Sequence, residues 1–361
     1  MRRLYRWFRR DILEIPGRVI AFVFLLGILT IPLVYPDAYL LRILTIAAIF
    51  SIFAASWDLL CGFTGQVSLG HGLFFGVSAY AAALLSRDLN LPVWVTIPLG
   101  GVVAAVVGTI VCIPAFRLRG FYLGLVTLAL PIMLIGIVFL FPNLTGGELG
   151  IYGAGIAGIS ESKVITFYIT GFCFIVSILI MWKLTDTSSR IVRTGLAFHA
   201  IREDEITARA SGIRTQNYKL LVFMISGFFA GIAGGLYAHV FRVVGPSTLE
   251  LFFSFQAIVW TIFGGMTTIY GPVAGVFILY PITELLTMHP VGESSRFIIQ
   301  ALILILVLLF MPEGITTWVR DHIEKKCPRC KLINSDLRKK CRACQADLHR
   351  RGKRPDIQLR S

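Results

Sequence analysis

Residues 200–239 read AIREDEITARASGIRTQNYKLLVFMISGFFAGIAGGLYAH. A polar segment gives way at Tyr218-Lys219 to an apolar run that carries no Asp, Glu, Lys or Arg through His239. An α-helix needs roughly 17–25 apolar residues to cross a ~30 Å hydrocarbon core, and 218–241 meets that length. Working outward, similar runs lie at 19–35, 38–60, 66–86, 93–114, 121–141, 164–182, 252–270, 272–288 and 296–312. A transmembrane β-barrel would show short alternating segments instead, and lipid tolerates only backbones that satisfy their own hydrogen bonds. The expected fold is therefore an all-α polytopic membrane protein of about ten helices, some short or broken. Composition agrees: 56% of the residues are hydrophobic and 15% charged, and the mean hydropathy is +0.77, outside the range of soluble domains. No small-residue cleavage site follows the first run, so it reads as a retained span.

Charge sets an orientation. Arg2, Arg3, Arg6, Arg9, Arg10 and Arg18 precede the first span, which places residue 1 in the cytoplasm by the positive-inside rule. Ten crossings then put the polar insert 183–219 and the tail on the cytoplasmic side, and 142–163 outside. Of the net +14, residues 1–18 hold +4, the insert +3, the tail from Arg320 +9 and the remainder −2. Such basicity reports topology and anionic lipid headgroups before nucleic acid. Three regions result: a basic segment 1–18, a membrane domain 19–318 and a tail 319–361.

Enzyme chemistry finds no foothold. The chain contains no GxxxxGK[ST] loop, HExxH or GxSxG string, and its six histidines are scattered. His71, His239 and His289 at helix ends read as structural hydrogen-bonding groups. Cys61, Cys112 and Cys173 read as small buried residues.

Glycine breaks two apolar runs. Gly62, Gly65, Gly70, Gly72 and Gly76 crowd one of them, so it is either an interrupted helix, restarting near Gln66 or Ser68 with its free N–H groups turned to an anion, or a site of close helix packing. The second, FGGMTTIYGPVAG (263–275), cannot be one straight helix around Gly271-Pro272 and reads as a hairpin between short spans. Asp58 and Glu284 lie at membrane depth, where an unpaired carboxylate is costly. Each either lines a pathway or is paired or snorkelling at a helix end. Outside, 143–158 carries Gly146, Gly147, Gly150, Gly153, Gly155 and Gly158 and reads as a partner-binding or slack loop. Inside, Gly195 to Ile213 reads as one short amphipathic helix: Leu196, Ile201, Ala208 and Ala210 are able to pack, while Arg202, Glu203, Asp204, Glu205 and Arg209 face water or another protein.

The string 200–239 is similar to the cytoplasmic loop and following span of LivM-type permeases, the membrane subunits of branched-chain amino acid ATP-binding cassette importers. GFTGQVSLGHGLFFGVSAYAAALLS, FYLGLVTLAL, LTGGELGI, and GGMTTIYGPVAGVF followed by ILVLLFMPEGI match in the same order, so the resemblance spans roughly residues 40–315. It implies that Ala200, Ile201, Arg202, Glu203, Asp204, Glu205, Ala208 and Gly212 form a coupling helix seated on an ATP-binding subunit, with the three carboxylates as polar contacts and Gly212 as the turn. Glu205 and Gly212 stand seven apart, one more than in the usual importer motif. Gly65, Gln66, Ser68, Gly70 and His71 occupy the family's signature segment beside the translocation path, to which Glu284 is a further candidate. Thr267 departs from the glycine common in relatives, which leaves the tightness of that hairpin open. The implied partners are ATP-binding subunits that hydrolyse the ATP, a second paralogous permease in a heterodimer, an extracellular solute-binding protein and membrane lipids. The implied location is the plasma membrane, with both termini cytoplasmic. Urea and short-amide permeases look much the same, so the substrate class stays open between these and amino acids.

The tail has no counterpart in these relatives, which usually end near MPEGI. Cys327, Cys330, Cys341 and Cys344 form CxxC-x10-CxxC, a spacing suited to a tetrahedral, closed, structural zinc site in a small ribbon with its core at 325–349. Paired disulfides are the alternative, disfavoured by a reducing cytosol. This tail also motivates a rival reading, a non-transporting membrane sensor or scaffold.

Overall fold

Asp37 opens the first long helix. Its carboxylate accepts the Tyr39 N–H at 3.2 Å, and α1 then runs over Ala38–Thr64 until Gly65, at φ 70°, returns its N–H to the Cys61 carbonyl. The computed structural model describes residues 37–113, 121–153, 156–186, 194–287, 293–311, 313–326 and 333–335, together with Gly27 and Thr30. In chain order after α1 come α2 (Gly72–Leu89), α3 (Val93–Cys112), α4 (Phe121–Leu140), α5 (Lys163–Thr185), α6 (Thr194–Glu203), α7 (Glu205–Ala210), α8 (Thr215–Phe241), α9 (Leu251–Gly264), α10 (Tyr270–Thr287), α11 (Glu293–Phe310) and α12 (Ile315–Ile323). The two-residue strands β1 (Ile151–Tyr152) and β2 (Val243–Val244) pair antiparallel, Ile151 opposite Val244.

The chain divides into two units, Ile31–Ile315 and the residues on either side of it. In the first unit α1 is the hub, packed against α5, α8, α9 and α10. Its polar residues Thr45, Ser51, Ser56, Asp58 and Thr64 are all buried. The three hydroxyls Thr45, Ser51 and Thr64 each donate back to the carbonyl four residues earlier, so they enter the interior already satisfied. Between α3 and α8 small residues allow close approach: Gly231 faces Gly101 and Ala104, and a Cβ there would lie 2.7 Å from the Gly101 Cα. Outward faces of α4 and α5 leave Tyr122, Leu125, Ile132, Phe139, Phe172 and Leu179 exposed, as lipid-facing surface requires.

Five helices among the described residues are long and apolar enough to cross a membrane: Ala38–Thr64, Val93–Val111, Tyr122–Leu140, Lys163–Thr185 and Thr215–Phe241. Other expected spans take different forms. The run 66–86 becomes an irregular segment followed by α2, and 252–288 folds as a helical hairpin of 14 and 18 residues, α9 and α10. Its tightness comes from Gly264, Gly271 and Gly275, where an added Cβ would strike the backbone of the opposite arm. Gly271-Pro272 falls in the first turn of α10, where proline costs the helix no hydrogen bond. The run 19–35 lies outside the described residues, apart from Gly27 and Thr30.

One end of this bundle gathers Gly65, the α6–α7 pair, the start of α8 and the 265–269 turn. The opposite end gathers Asn90, the 142–153 loop and the β1–β2 pair. That loop is not slack. Gly146, Gly147 and Gly150 take positive φ, Thr145 donates to the Val138 carbonyl at 2.7 Å, and Ile151 and Val244 join a core with Ala79, Tyr80, Val138 and Leu249. His239 ties the loop down, its Nδ1 meeting the Ala157 carbonyl at 2.7 Å and its Nε2 the Thr96 hydroxyl at 2.6 Å.

In the second unit α12 leads into β3 (Glu324–Lys326), which pairs antiparallel with β4 (Ile333–Ser335), Lys326 opposite Ile333. Cys327, Cys330, Cys341 and Cys344 lie outside the described residues.

Candidate functional site

The polar insert folds as two helices set at an angle, where one was expected. Asp204 breaks them apart: at φ −155°, ψ 109° it is extended, and its carboxylate caps α7 by accepting the Ile206 N–H at 2.8 Å, the Thr207 N–H at 3.3 Å and the Thr207 hydroxyl at 2.6 Å. The Thr207 hydroxyl, then the Thr207 and Ile206 amides, hold this carboxyl below the ordinary aspartate value. Gly212, at φ 86°, makes the turn expected of it and leads into α8.

Burial sorts the residues expected to couple. Ile201 and Ala208 face inward, and Ala200 is half-buried. Arg202, Glu203 and Asp204 are exposed as expected. Glu205 is not: its side chain is 19% exposed, and it meets Lys219 Nζ at 2.7 Å and Arg209 at 3.2 Å. It therefore pins α7 to the first turns of α8 rather than projecting outward. Leu196 and Ala210, expected to pack, are exposed, and Ile206, which the sequence reading passed over, is 71% exposed between two charged helix ends.

This loop touches the broken segment directly. Arg202 packs its Cγ over Gly65, 3.8 Å from where a Cβ would stand, and His199 meets Phe63 edge-on at 5.5 Å. Burial first, with Arg202 nearby, pushes His199 below its ordinary value, so at neutral pH the ring contributes contact more than charge. Gln66 donates to the Lys219 carbonyl at 3.5 Å, so Lys219 joins α7 through its ammonium to the 65–71 segment through its carbonyl.

Residues 65–71 climb back along the last turns of α1. Trp57 Nε1 donates to the Ser68 carbonyl at 2.7 Å and the Leu69 N–H to the Thr127 hydroxyl at 3.1 Å. A Cβ on Gly70 would strike the Thr127 carbonyl. The helix restarts at Gly72, later than Gln66 or Ser68, and its first N–H donates to Ser254 Oγ at 2.8 Å. The next two amides, of Leu73 and Phe74, turn back to Gly70 and His71 carbonyls. No open N-terminus is left to receive an anion, and of the two readings of this glycine-rich run the close packing of Gly70, Gly72 and Gly76 on Thr127, Ser254 and Leu249 is the one the geometry fits. Gln66, Ser68 and His71 are buried. Ser56 gives its hydroxyl proton to the Phe53 carbonyl, which leaves its oxygen to accept from His71 Nε2 at 2.9 Å. His71 Nδ1, Gln66 Oε1 and Asp58 Oδ2 are buried without a hydrogen-bond partner among the described residues. Asp58 is paired through its other oxygen, which accepts the Thr267 N–H at 2.9 Å, and Arg202 is within electrostatic reach.

Glu284 stands apart from this cluster. It lines an open cleft between α1, α9, α10 and α11 with Phe50, Trp260, Tyr280, Gln256 and Gln300. Apart from Glu284, none of these lining residues was anticipated; Gln256 and Gln300, polar in apolar runs, were the available signal.

The sequence profile of the family described as "Branched-chain amino acid transport system / permease component" matches residues 39–308. The chain is 27% identical over 340 residues to the high-affinity branched-chain amino acid transport system permease protein LivM of Salmonella typhimurium, covering 86% of this chain and 78% of that protein. It is 26% identical over 303 residues to the corresponding permease BraD of Pseudomonas aeruginosa, covering 78% and 95%, and 26% identical over 305 residues to the autoinducer 2 import system permease LsrC of Yersinia pseudotuberculosis, covering 78% and 76%. No solved structure matches. The profile match starts at the first turn of α1 and ends within α11, taking in both the broken segment and the α6–α7 pair, and the chain belongs to this permease family.

Proposed function

We propose that this chain is the membrane-spanning permease subunit of an ATP-binding cassette importer for branched-chain amino acids, in the plasma membrane with both termini cytoplasmic. The α6–α7 pair carries the reading. It is rigidly based, with Phe198 and Ile201 buried and Glu205 held by Lys219, yet it presents Arg202, Glu203, Asp204 and an exposed Ile206 together. An apolar anchor ringed by charges is the anatomy of a protein-docking patch, and the chain has no nucleotide loop of its own. ATP-binding subunits closing on this patch displace α6–α7. The displacement passes through Lys219 to α8 and through Arg202 and His199 to the end of α1, repositioning the broken segment. A paralogous permease completes the membrane dimer, and a solute-binding protein docks at the opposite end, near β1–β2.

The test is co-purification with the ATP-binding subunits. Ile206→Glu and Glu203→Arg each lower the yield of complex at least tenfold while the permease keeps its melting temperature. Full recovery of complex with both variants refutes the docking assignment.

A structural zinc bound by Cys327, Cys330, Cys341 and Cys344 belongs to the same proposal. In its support, the CxxC-x10-CxxC spacing suits a tetrahedral four-thiolate site, and Cys327 follows directly in sequence on Lys326, the last residue of β3.

A further inference from the structure

Asp58 is buried but only half satisfied. It lies in the last turns of α1 at 0% exposure, with Oδ1 accepting the Thr267 N–H at 2.9 Å and Oδ2 without a hydrogen-bond partner among the described residues. A carboxylate oxygen enclosed in this way is costly to leave unpaired. The sequence nevertheless makes room for it. A Cβ on Gly62 would strike Oδ1 and stand 3.1 Å from the Thr267 nitrogen, so glycine at this position lets the α9–α10 turn reach the carboxylate.

Arg202 is the complementary half. It lies on the exposed side of α6 and makes no hydrogen bond or ion pair among the described residues. Its stem crosses the end of α1, with Cγ 3.8 Å and Cα 3.9 Å from where a Cβ on Gly65 would stand. Arg202 and the Thr268 amide lie within electrostatic reach of Asp58, and Cys61, one turn along α1, feels both Asp58 and Arg202. The nearby Glu205 is already held by Lys219 and Arg209. A cation and a buried anion thus face each other across the end of α1 without having closed.

Docking on the α6–α7 patch changes this balance. A partner covering the patch takes water away from Arg202, and a desolvated guanidinium is as costly alone as the buried carboxylate oxygen. Their attraction also rises as the local dielectric falls. We propose that Asp58 and Arg202 close a salt bridge when the ATP-binding subunits dock, and that this bridge carries the motion of α6 to the α9–α10 hairpin. Oδ2 takes the guanidinium while Oδ1 keeps the Thr267 N–H, so α6, α1 and the 265–269 turn become one hydrogen-bonded chain. The bridge rests on the permease reading and adds to it a route into the hairpin, beside those through Lys219 and the broken segment. It biases the hairpin because it is present in one state and absent in the other. Asp58 is a positioning residue in this scheme, acting through Thr267.

The test compares the purified complex of permease and ATP-binding subunits without nucleotide and with magnesium and β,γ-imido-ATP, following hydrogen exchange of the peptide that contains Thr267 by mass spectrometry. In the wild-type complex the nucleotide slows exchange there on the order of tenfold. Arg202→Gln and Asp58→Asn each abolish this nucleotide-dependent change, the double variant is no worse than either single one, and Arg202→Lys recovers part of it. A merely structural role would shift exchange equally in both nucleotide states. Arg202 is exposed, so Arg202→Gln keeps the melting temperature of the isolated permease and decides the matter even where Asp58→Asn fails to fold. Persistence of the nucleotide effect in Arg202→Gln overturns the proposal. So does loss of assembly in Arg202→Gln with normal assembly in Asp58→Asn, which assigns the guanidinium to a carboxylate of the ATP-binding subunit. ATP-driven uptake of L-leucine by the wild-type complex in proteoliposomes is read separately. Uptake with no nucleotide effect at Thr267 sinks the bridge and keeps the permease reading, and a nucleotide effect lost in Arg202→Gln with no leucine uptake does the reverse.

Discussion

Replacing Thr267 by glycine should make the protein more stable. Thr267 sits at φ 66° in the turn joining α9 to α10 and is one of three non-glycine residues with positive φ among the described residues; the others, Asn90 and Arg242, cap helices. Left-handed backbone costs an L-residue about 1–2 kcal/mol, and a β-branched side chain stands toward the upper end of that range. Glycine removes this penalty but brings roughly 0.5–1 kcal/mol of extra backbone entropy in the unfolded chain. The net expectation is a gain of about 1 kcal/mol, on the order of a fivefold shift in the folding equilibrium. Little opposes it. Among the described residues the half-buried Thr267 side chain makes no hydrogen bond that glycine would forfeit, and the bond to Asp58 comes from the backbone N–H, which glycine keeps. Thr267→Ala is the control, because a Cβ retains most of the strain. Melting of the purified protein in detergent, followed by tryptophan fluorescence, should rank glycine above alanine and alanine level with or slightly above threonine. Glycine melting at or below alanine refutes the reasoning, because relief of left-handed strain would then not be the governing effect.

Other expectations follow from the same contacts. Glu205→Gln loosens α7 from α8 by about 1 kcal/mol, the range for a largely shielded ion pair; the Glu205→Lys/Lys219→Glu exchange recovers part of it, read by protease protection of 194–219. Gly275→Val forces the α9–α10 hairpin open, since even a Cβ meets the Trp260 carbonyl, and should cost several kcal/mol or abolish expression of a monodisperse protein. Cys341→Ser with Cys344→Ser removes about one zinc per chain by metal analysis; an unchanged zinc content refutes the four-cysteine site.

Hydropathy located the long helices because span length is a local property, and glycine with proline located the α9–α10 hairpin for the same reason. What it missed is decided by distant residues. The restart of the helix at Gly72 depends on Thr127, Ser254 and Trp57, which come from three other helices and bond to the segment before and at that turn. The break at Asp204 was within reach, because an aspartate three residues before a threonine is a helix-capping pattern; it was hidden by reading the whole insert as one amphipathic face. A deeper cause lies in the solvent. In water an apolar residue marks the interior, but lipid rewards apolar surface on the outside as well. Hence apolar character does not track burial: α4 is more apolar than α1, yet 28% of its spanning window is buried against 78% in α1. Polar residues separate them. α1 buries Thr45, Ser51, Ser56, Asp58 and Thr64, whereas α4 carries an exposed Tyr122 near its start and a single threonine, Thr127, buried against the broken segment. In this chain a polar residue within an apolar run marks the side facing protein. Applied to Gln256, Glu284 and Gln300, that rule turns three scattered positions toward one another and points to the cleft they line, which no spacing along the chain could have joined.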